Sequence, residues 1–134
     1  MSFNDPIADM LTRIRNAARN RAKEVKCLNS KVCRGVAEVL KQEGYINNYE
    51  VLPEEQRGQG LIRVMLKYGP RGETVLHTIK RESRPGCRIY KKVDELEPPL
   101  DGLGISVVST SQGVLSDRQC RDRKVGGELL ATVD

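Results

Sequence analysis

The order of hydrophobic and polar positions divides this chain of 134 residues into helical and extended segments. In residues 7–18, apolar side chains recur at helical spacing and leave arginines and asparagines on the opposite face. Asn4 or Asp5 can cap this first helix, and Pro6 can occupy its first turn because the missing amide proton costs nothing there. The pattern therefore predicts an amphipathic helix with a basic outer face.

A second helix and three extended stretches follow in the first half of the chain. Ser30 is placed to cap the helix, and Gly44 is expected to end it. Apolar and polar residues alternate in the last of the extended stretches, as is typical of a half-buried strand. The stretches lie at residues 24–28, 45–51 and 62–68. A polar, turn-rich segment at 53–60 predicts an exposed hairpin loop.

The second half of the chain contains mainly strand patterns. They lie at residues 75–80, 88–91, 105–108 and 128–133. After the third of them, residues 109–112 place four small or flexible polar groups in a loop, and Gly113 lets the backbone turn. Ser116 then opens a short basic helix, which the glycine pair at 126–127 is expected to end.

These elements predict an α+β fold of two small lobes. Residues 1–70 form an N-terminal α/β lobe with the order helix, strand, helix, strand, strand. Residues 71–134 form a mainly-β lobe with one short helix.

Charge is segregated along the chain more than its total suggests. The formal net charge is +5, but residues 10–34 contain eight basic residues and one acidic residue, and residues 80–92 contain six and one. Solvated surfaces also produce basic runs. Segregation of this degree nevertheless favours a protein with one side facing a nucleic acid.

The residues offer little for catalysis or metal binding. Four cysteines form no CxxC pair, and the single histidine, His77, lies far from them in sequence, so we expect no zinc site. A hydrolase could use Ser109 or Ser111 as nucleophile with His77 as base. Neither serine lies in a GxSxG motif, so the sequence does not favour this alternative. The N-terminal residues resemble neither a signal peptide nor a membrane-spanning segment, so we expect a cytosolic protein with reduced thiols. Cys27, Cys33 and Cys120 are expected to act as packing residues.

The hydroxyl-rich segment fits a binding role better. Neutral hydroxyls and an amide can contact the minor-groove edge of an RNA helix, including ribose hydroxyls, while nearby basic groups contact phosphate. The serines and threonine can also simply satisfy a turn. Tyr90 lies among basic residues, where its ring can be buried or can stack on a base.

Four motifs in colinear order resemble those of bacterial small-subunit ribosomal protein eight. They are DPIADMLTRIRNA at 5–17, SRPGCRIYK at 83–91, GLGISVVSTSQGVLSDR at 102–118 and VGGELL at 125–130. The resemblance implies two lobes and a non-catalytic structural constituent of the small ribosomal subunit in the cytoplasm. Such a protein binds the central domain of small-subunit ribosomal RNA at the minor groove of an irregular helix, and helps to assemble the subunit platform.

The resemblance also implies partners and site residues. The partners are ribosomal proteins five and twelve and, as translational repressor, the messenger RNA of the protein's own operon. No cofactor, metal, membrane or small-molecule substrate is implied. The RNA-binding residues implied in the second lobe are Ser109, Thr110, Ser111, Gln112, Gly113, Arg88, Tyr90, Lys91 and Glu128. Those implied in the first helix are Asp5, Pro6, Thr12, Arg15 and Asn16.

Three positions depart from the family pattern. Many relatives have lysine where Gln112 stands, so the sequence predicts one fewer phosphate-directed charge and a changed salt dependence. Cys87 and Cys120 stand where an apolar or small residue is expected.

Glu128 beside RNA has three readings: it can accept from a base amino group, orient a neighbouring arginine, or pair with a strand neighbour.

Overall fold

A computed structural model of the protein describes residues 5–52, 60–96 and 104–134. Asn4 lies outside these residues, as does all of the predicted loop at 53–60 except Gly60. The described residues form three α-helices and two antiparallel sheets, which confirms the predicted α+β class.

The backbone separates into two compact units, which meet in sequence between His77 and Thr78. The sequence-based boundary was placed between residues 70 and 71. The predicted division into lobes at 1–70 and 71–134 stays a prediction.

The N-terminal unit has the predicted order of elements. They are α1 (Pro6–Arg19), β1 (Glu24–Leu28), α2 (Lys31–Gln42), β2 (Ile46–Leu52) and β3 (Leu61–Leu66). The sheet order is β1-β3-β2, with both pairs antiparallel. Strand β3 alternates as its sequence predicts, since Ile62, Val64 and Leu66 are buried and the residues between them are half-exposed.

Side-chain caps start both helices of this unit where the sequence predicts them. The Oδ1 atom of Asp5 accepts a hydrogen bond from the amide of Ala8 at 3.2 Å, and Pro6 occupies the first turn. Ser30 Oγ accepts from the amide of Cys33 at 3.1 Å. Each cap satisfies an amide that the helix itself leaves unbonded, which typically contributes ~1 kcal/mol.

Three of the four cysteines pack in the interior. Cys27, Cys33 and Cys120 are buried, which confirms their predicted role, whereas Cys87 is exposed. Burial raises the pKa of the Cys27 thiol to about 12, because the thiolate loses its hydration. These buried thiols are therefore protonated at neutral pH and behave as small apolar side chains.

The C-terminal unit is mainly β-structure. Its strands are β4 (Ile79–Arg81), β5 (Tyr90–Lys91), β6 (Ile105–Thr110), β7 (Gly113–Ser116) and β8 (Gly127–Val133). A 3-10 turn at Val93–Glu95 and helix α3 (Asp117–Arg123) complete it. The sheet order is β4-β8-β6-β7, and β5 also pairs with β8.

Strand β8 organises this unit because it is paired with three others. It lies antiparallel to β4, β5 and β6. Buried residues of β6, β7, α3 and the end of the 3-10 turn form one apolar cluster, with two half-buried residues packed against it. The buried members are Leu96, Val108, Leu115 and Cys120, and the half-buried ones are Val125 and Leu129.

Three details of the second half differ from the sequence-based predictions. The strand predicted at 75–80 is confined to Ile79–Arg81. The predicted loop at 109–112 is the end of β6 followed by a two-residue turn, and Gly113 begins a strand that was not predicted. A polar loop and the end of a hairpin strand have the same residue preferences, so periodicity does not separate them.

The end of α3 was also placed wrongly. The helix ends at Arg123, and its C-cap residue, Lys124, has a φ of 56° in the left-handed region. Gly127 already belongs to β8. Glycine is the usual residue at such a helix end, so the lysine gave no stop signal. The glycine pair is required for a different reason, which is described below.

Candidate nucleic-acid interface

Tyr90, Glu128 and Ser109 form a row across three neighbouring strands. Tyr90 of β5 lies opposite Glu128 of β8, and Glu128 lies opposite Ser109 of β6. Directly opposed residues of antiparallel strands present their side chains on the same face of the sheet. The fold therefore brings together on one face residues that are separated by up to 38 positions in sequence.

The glycine pair at 126–127 permits the close approach of these three strands. A Cβ atom added at Gly127 would collide with the backbone of Ser109, and one added at Gly126 would collide with the backbone at Lys91 and Lys92. Only a residue without a side chain fits where another backbone comes so near. The pair thus sets the spacing of β5, β8 and β6 at the level of Glu128.

Glu128 is held by two hydrogen bonds to one carboxylate oxygen. Its Oε2 atom accepts from Ser83 Oγ at 2.6 Å and from Arg88 Nη1 at 2.9 Å. Ser83 is fully buried, and its hydroxyl oxygen also accepts from the amide of Ile89 at 3.1 Å. The network fixes the carboxylate and orients the Arg88 guanidinium, whose side chain is 47% exposed.

The surroundings of Glu128 favour its charged form. Burial raises the pKa of this carboxyl, because only 17% of the side chain is exposed. The hydrogen bonds from Ser83 and Arg88 and the charges of Arg88 and Arg81 outweigh that effect, so the pKa lies below its ordinary value of 4.5. The carboxylate is therefore ionised at neutral pH and compensated by an adjacent arginine.

The hydroxyl residues near the hairpin tip between β6 and β7 have different environments. Thr110 Oγ1 donates to the carbonyl of Gly113 at 2.7 Å and accepts from the amide of Gln112 at 3.0 Å, so this hydroxyl satisfies the turn. Gly113 has a φ of 107°, which favours glycine. Ser111 and Gln112 are exposed at the tip, whereas Ser109 is half-buried.

Strand β5 contributes an aromatic ring and a basic side chain. The Tyr90 side chain is 69% exposed, so of its two expected environments the structure shows the open one. Lys91, the next residue, is half-buried and lies opposite Gly127. The surface thus combines a ring face, a guanidinium, hydroxyl groups and an amide.

The predicted residues of α1 belong to the N-terminal unit and are not part of this row. Asp5 and Pro6 start the helix. Thr12 and Asn16 are exposed and Arg15 is half-buried. Sequence analysis predicted both groups as RNA-binding, and they belong to different units of the chain.

Ser83 was not predicted as part of the site. It begins the SRPG segment, where the proline and glycine suggest only a turn. The backbone of Arg84 and Cys87 closes that turn with two hydrogen bonds. The link from Ser83 to Glu128 spans 45 positions, and no local pattern indicates it.

The environment of His77 offers no support for a hydrolase. The imidazole is exposed, and its Nε2 atom lies 3.3 Å from the carbonyl of Thr74. Within the described ranges there is no group of three or more histidine, cysteine, aspartate or glutamate residues that could hold a metal ion. None of the helices described is long and apolar enough to span a membrane.

The exposed surface is typical of a small RNA-binding protein, because an accessible ring and hydroxyl groups lie beside basic side chains. The family model for "Ribosomal protein S8" matches residues 5–133, and the chain belongs to this family. The proteins named "Small ribosomal subunit protein uS8" from Streptococcus pneumoniae strains Hungary19A-6 and CGSP14 are each 48% identical to it over 133 residues. The match covers 99% of this chain and 99% of each relative, and it confirms the predicted family resemblance.

Replacement of Gly127 by alanine tests the strand spacing. We expect Gly127→Ala to lower the free energy of unfolding by ~1–3 kcal/mol, because the new Cβ forces β8 away from Ser109. Urea unfolding measures the change. Gly86→Ala is the matched control, since a Cβ there meets nothing within 4 Å. Equal stabilities of the two variants would contradict the role assigned to Gly127.

The pKa of Glu128 leads to a prediction about pH. Glu128→Gln should lower the free energy of unfolding by ~1–2 kcal/mol near pH 7, because it weakens the hydrogen bonds from Ser83 and Arg88. A lowered carboxyl pKa stabilises the folded state above the unfolded-state value near 4.5. That stabilisation is lost as the pH falls through the folded-state pKa, so wild type and variant should converge in acid.

Urea unfolding of both proteins between pH 7 and pH 3 checks this convergence. Asp94→Asn removes an exposed carboxylate of the same unit and serves as the control. A stability difference between wild type and Glu128→Gln that stays constant over the whole range would contradict the predicted linkage.

Proposed function

We propose that this protein is a non-catalytic structural constituent of the small ribosomal subunit that binds the central domain of the small-subunit ribosomal RNA. The observation that carries the proposal is the row of Tyr90, Glu128 and Ser109 beside the exposed hairpin tip. Membership of the ribosomal protein S8 family supports the same role. No enzyme family is indicated by the relatives, whose printed names are those of ribosomal proteins.

The chemistry of the surface supports recognition of an irregular RNA helix through its minor groove. The exposed hydroxyl of Ser111 and the amide of Gln112 can contact base edges and ribose hydroxyls. The open ring of Tyr90 can stack on a base or pack beside a ribose. Arg88 and Lys91 can contact phosphate.

The arrangement of Glu128 removes the apparent conflict between a carboxylate and a polyanionic ligand. Of the three readings from the sequence, the structure shows this carboxylate bound to Arg88 and Ser83. Its charge is thereby offset by the adjacent Arg88 guanidinium, whose side chain is 47% exposed. Glu128 therefore acts in the proposed site chiefly by positioning Arg88.

A second contact is proposed for α1. Thr12, Asn16 and Arg19 are exposed, and Arg15 is half-buried on the same helix. Phosphate contacts by such residues supply affinity without base discrimination. Asp5 and Pro6 would contribute indirectly, by fixing where the helix begins.

The proposal includes further partners in the cytoplasm. Ribosomal proteins five and twelve would be neighbours in the subunit, and assembly of the subunit platform would follow RNA binding. Repression of the protein's own operon would use the same surface on messenger RNA. No cofactor, metal, membrane or small-molecule substrate forms part of this proposal.

Truncation of two exposed side chains tests the site. Ser111→Ala and Tyr90→Ala should each weaken binding to a transcript of the ribosomal RNA central domain by ~1–3 kcal/mol, the scale of one recognition contact or one stack. Tyr90→Phe is the matched control and should retain most of the stacking. Filter binding gives the affinities, and circular dichroism checks folding. Unchanged affinity in both folded alanine variants would refute the assigned site.

Replacement of Arg19 tests the contact by α1. Arg19→Ala should weaken binding to the transcript and to an unrelated RNA duplex similarly, and should reduce the slope of log affinity against log salt by about 1. Arg13→Ala removes the same charge, but Arg13 is paired with Asp9 at 2.9 Å. A slope change as large for Arg13→Ala would mean that net charge, rather than a contact by Arg19, is responsible.

A further inference from the structure

The hairpin tip of the proposed site has no charged side chain of its own. Residues 109–113 are serine, threonine, serine, glutamine and glycine. RNA binding at such a tip needs a nearby cation, because phosphate contacts supply most of the affinity. A basic group next to Ser111 and Gln112 would meet this requirement.

Helix α3 supplies such a group from its last turn. The side chain of Ser116 accepts from the amide of Gln119, and the Gln119 side chain accepts from the amide of Ser116, so the helix begins directly after β7. Cys120 then packs with Val108 and Leu115, which are opposed in the hairpin close to its tip. Arg123 follows one turn later, at the end of the helix.

The arginine at this position contacts the tip. Arg123 Nη1 lies 3.5 Å from Gln112 Oε1, and both side chains are exposed. A guanidinium has five N–H donors, and one neutral amide oxygen can occupy only a minority of them. The contact orients the guanidinium without neutralising its charge, in contrast to Arg88, which pairs with a carboxylate.

Neighbouring basic residues of α3 are arranged differently. Arg121 is held by Asp117 at 2.9 Å and donates to the carbonyl of Leu96 at 3.3 Å. Lys124 is exposed and follows Arg123, but its backbone has turned into the left-handed region. Arg123 is thus the basic residue of the helix end that the structure links to the tip through a side-chain contact.

We propose that Arg123 binds an RNA phosphate beside the hairpin tip and that Gln112 positions it there. This inference rests on the proposed RNA-binding function and adds a residue to it. It also changes the interpretation of Gln112, which was predicted to remove a phosphate-directed charge from the site. In this proposal Arg123 of α3 supplies a positive charge beside the uncharged Gln112 side chain. The ligand chemistry is a backbone phosphodiester, so Arg123 contributes affinity and salt dependence rather than base discrimination.

The alternative is that Arg123 stabilises only the helix. A cation in the last turn interacts favourably with the partial negative charge of a helix C-terminus. Lys124 carries the same charge at the same helix end, and that effect is shared by both residues. A contact positioned by Gln112 belongs to Arg123 alone, so the two variants separate the explanations.

Salt dependence of RNA binding is the decisive measurement. The probes are the central-domain transcript and an unrelated duplex of equal length, titrated with the full chain at several salt concentrations. Arg123→Gln should reduce the slope of log affinity against log salt on the transcript by about 1. Lys124→Gln should change that slope clearly less, although it removes the same charge.

A transplanted charge keeps the experiment falsifiable. Gln112→Lys in the Arg123→Gln background should restore most of the lost slope, because it returns one cation to the same tip. Equal effects of Arg123→Gln and Lys124→Gln, or no restoration by the lysine, would overturn the inference. Folding of each variant is checked by urea unfolding.

Failure of the inference and failure of the proposed function give different results. If the wild-type protein binds the transcript no better than the duplex, the proposed function fails. If binding is specific and sensitive to Ser111→Ala while Arg123→Gln leaves the slope unchanged, only the role of Arg123 is refuted.

Discussion

The closeness of three backbones at the glycine pair is the constraint on which the candidate site depends. Gly126 faces the backbone at the end of β5, and Gly127 faces the backbone of β6 at Ser109. Without this approach, Glu128 would not stand in register with both Tyr90 and Ser109. The site is therefore determined by two residues that have no side chains to offer a ligand, and the residues that can bind are arranged around them.

Charge compensation decides how this arrangement can face a polyanion. A partly buried carboxylate is costly unless it is paired and hydrogen-bonded. Ser83 and Arg88 meet both requirements, and the buried hydroxyl of Ser83 is itself fixed by the amide of Ile89. A hydrogen bond to an ionised group contributes roughly 1.5–3 kcal/mol, more than a median surface ion pair. The network is thus rigid enough to orient Arg88 as well as to neutralise Glu128.

What the sequence could predict follows from the range over which each interaction acts. The caps by Asp5, Ser30 and Ser116 join residues three positions apart. Ser30 and Ser116 were predicted as helix starts, and Asp5 was one of two predicted caps. The alternation of buried and half-exposed residues in β3 was also predicted correctly, because burial of one face of a strand imposes a period of two. The bond between Ser83 and Glu128 joins residues 45 positions apart, and only the paired strands reveal it. The end of α3 was also predicted wrongly, because the residue in the left-handed conformation there is Lys124 and not the glycine that is usual at a helix end.

The hydroxyl segment shows most clearly why a motif cannot be interpreted as a unit. Its three hydroxyl residues share a chemistry, yet each has its own environment. Ser109 is half-buried opposite Glu128, and Ser111 is exposed at the tip. The Thr110 hydroxyl donates a hydrogen bond within the turn. Sequence analysis left two explanations open, turn formation and RNA recognition. The structure shows turn formation for Thr110, whose hydrogen bonds close the hairpin. Ser111, the next residue, is exposed at the tip, and RNA recognition by it stays a proposal.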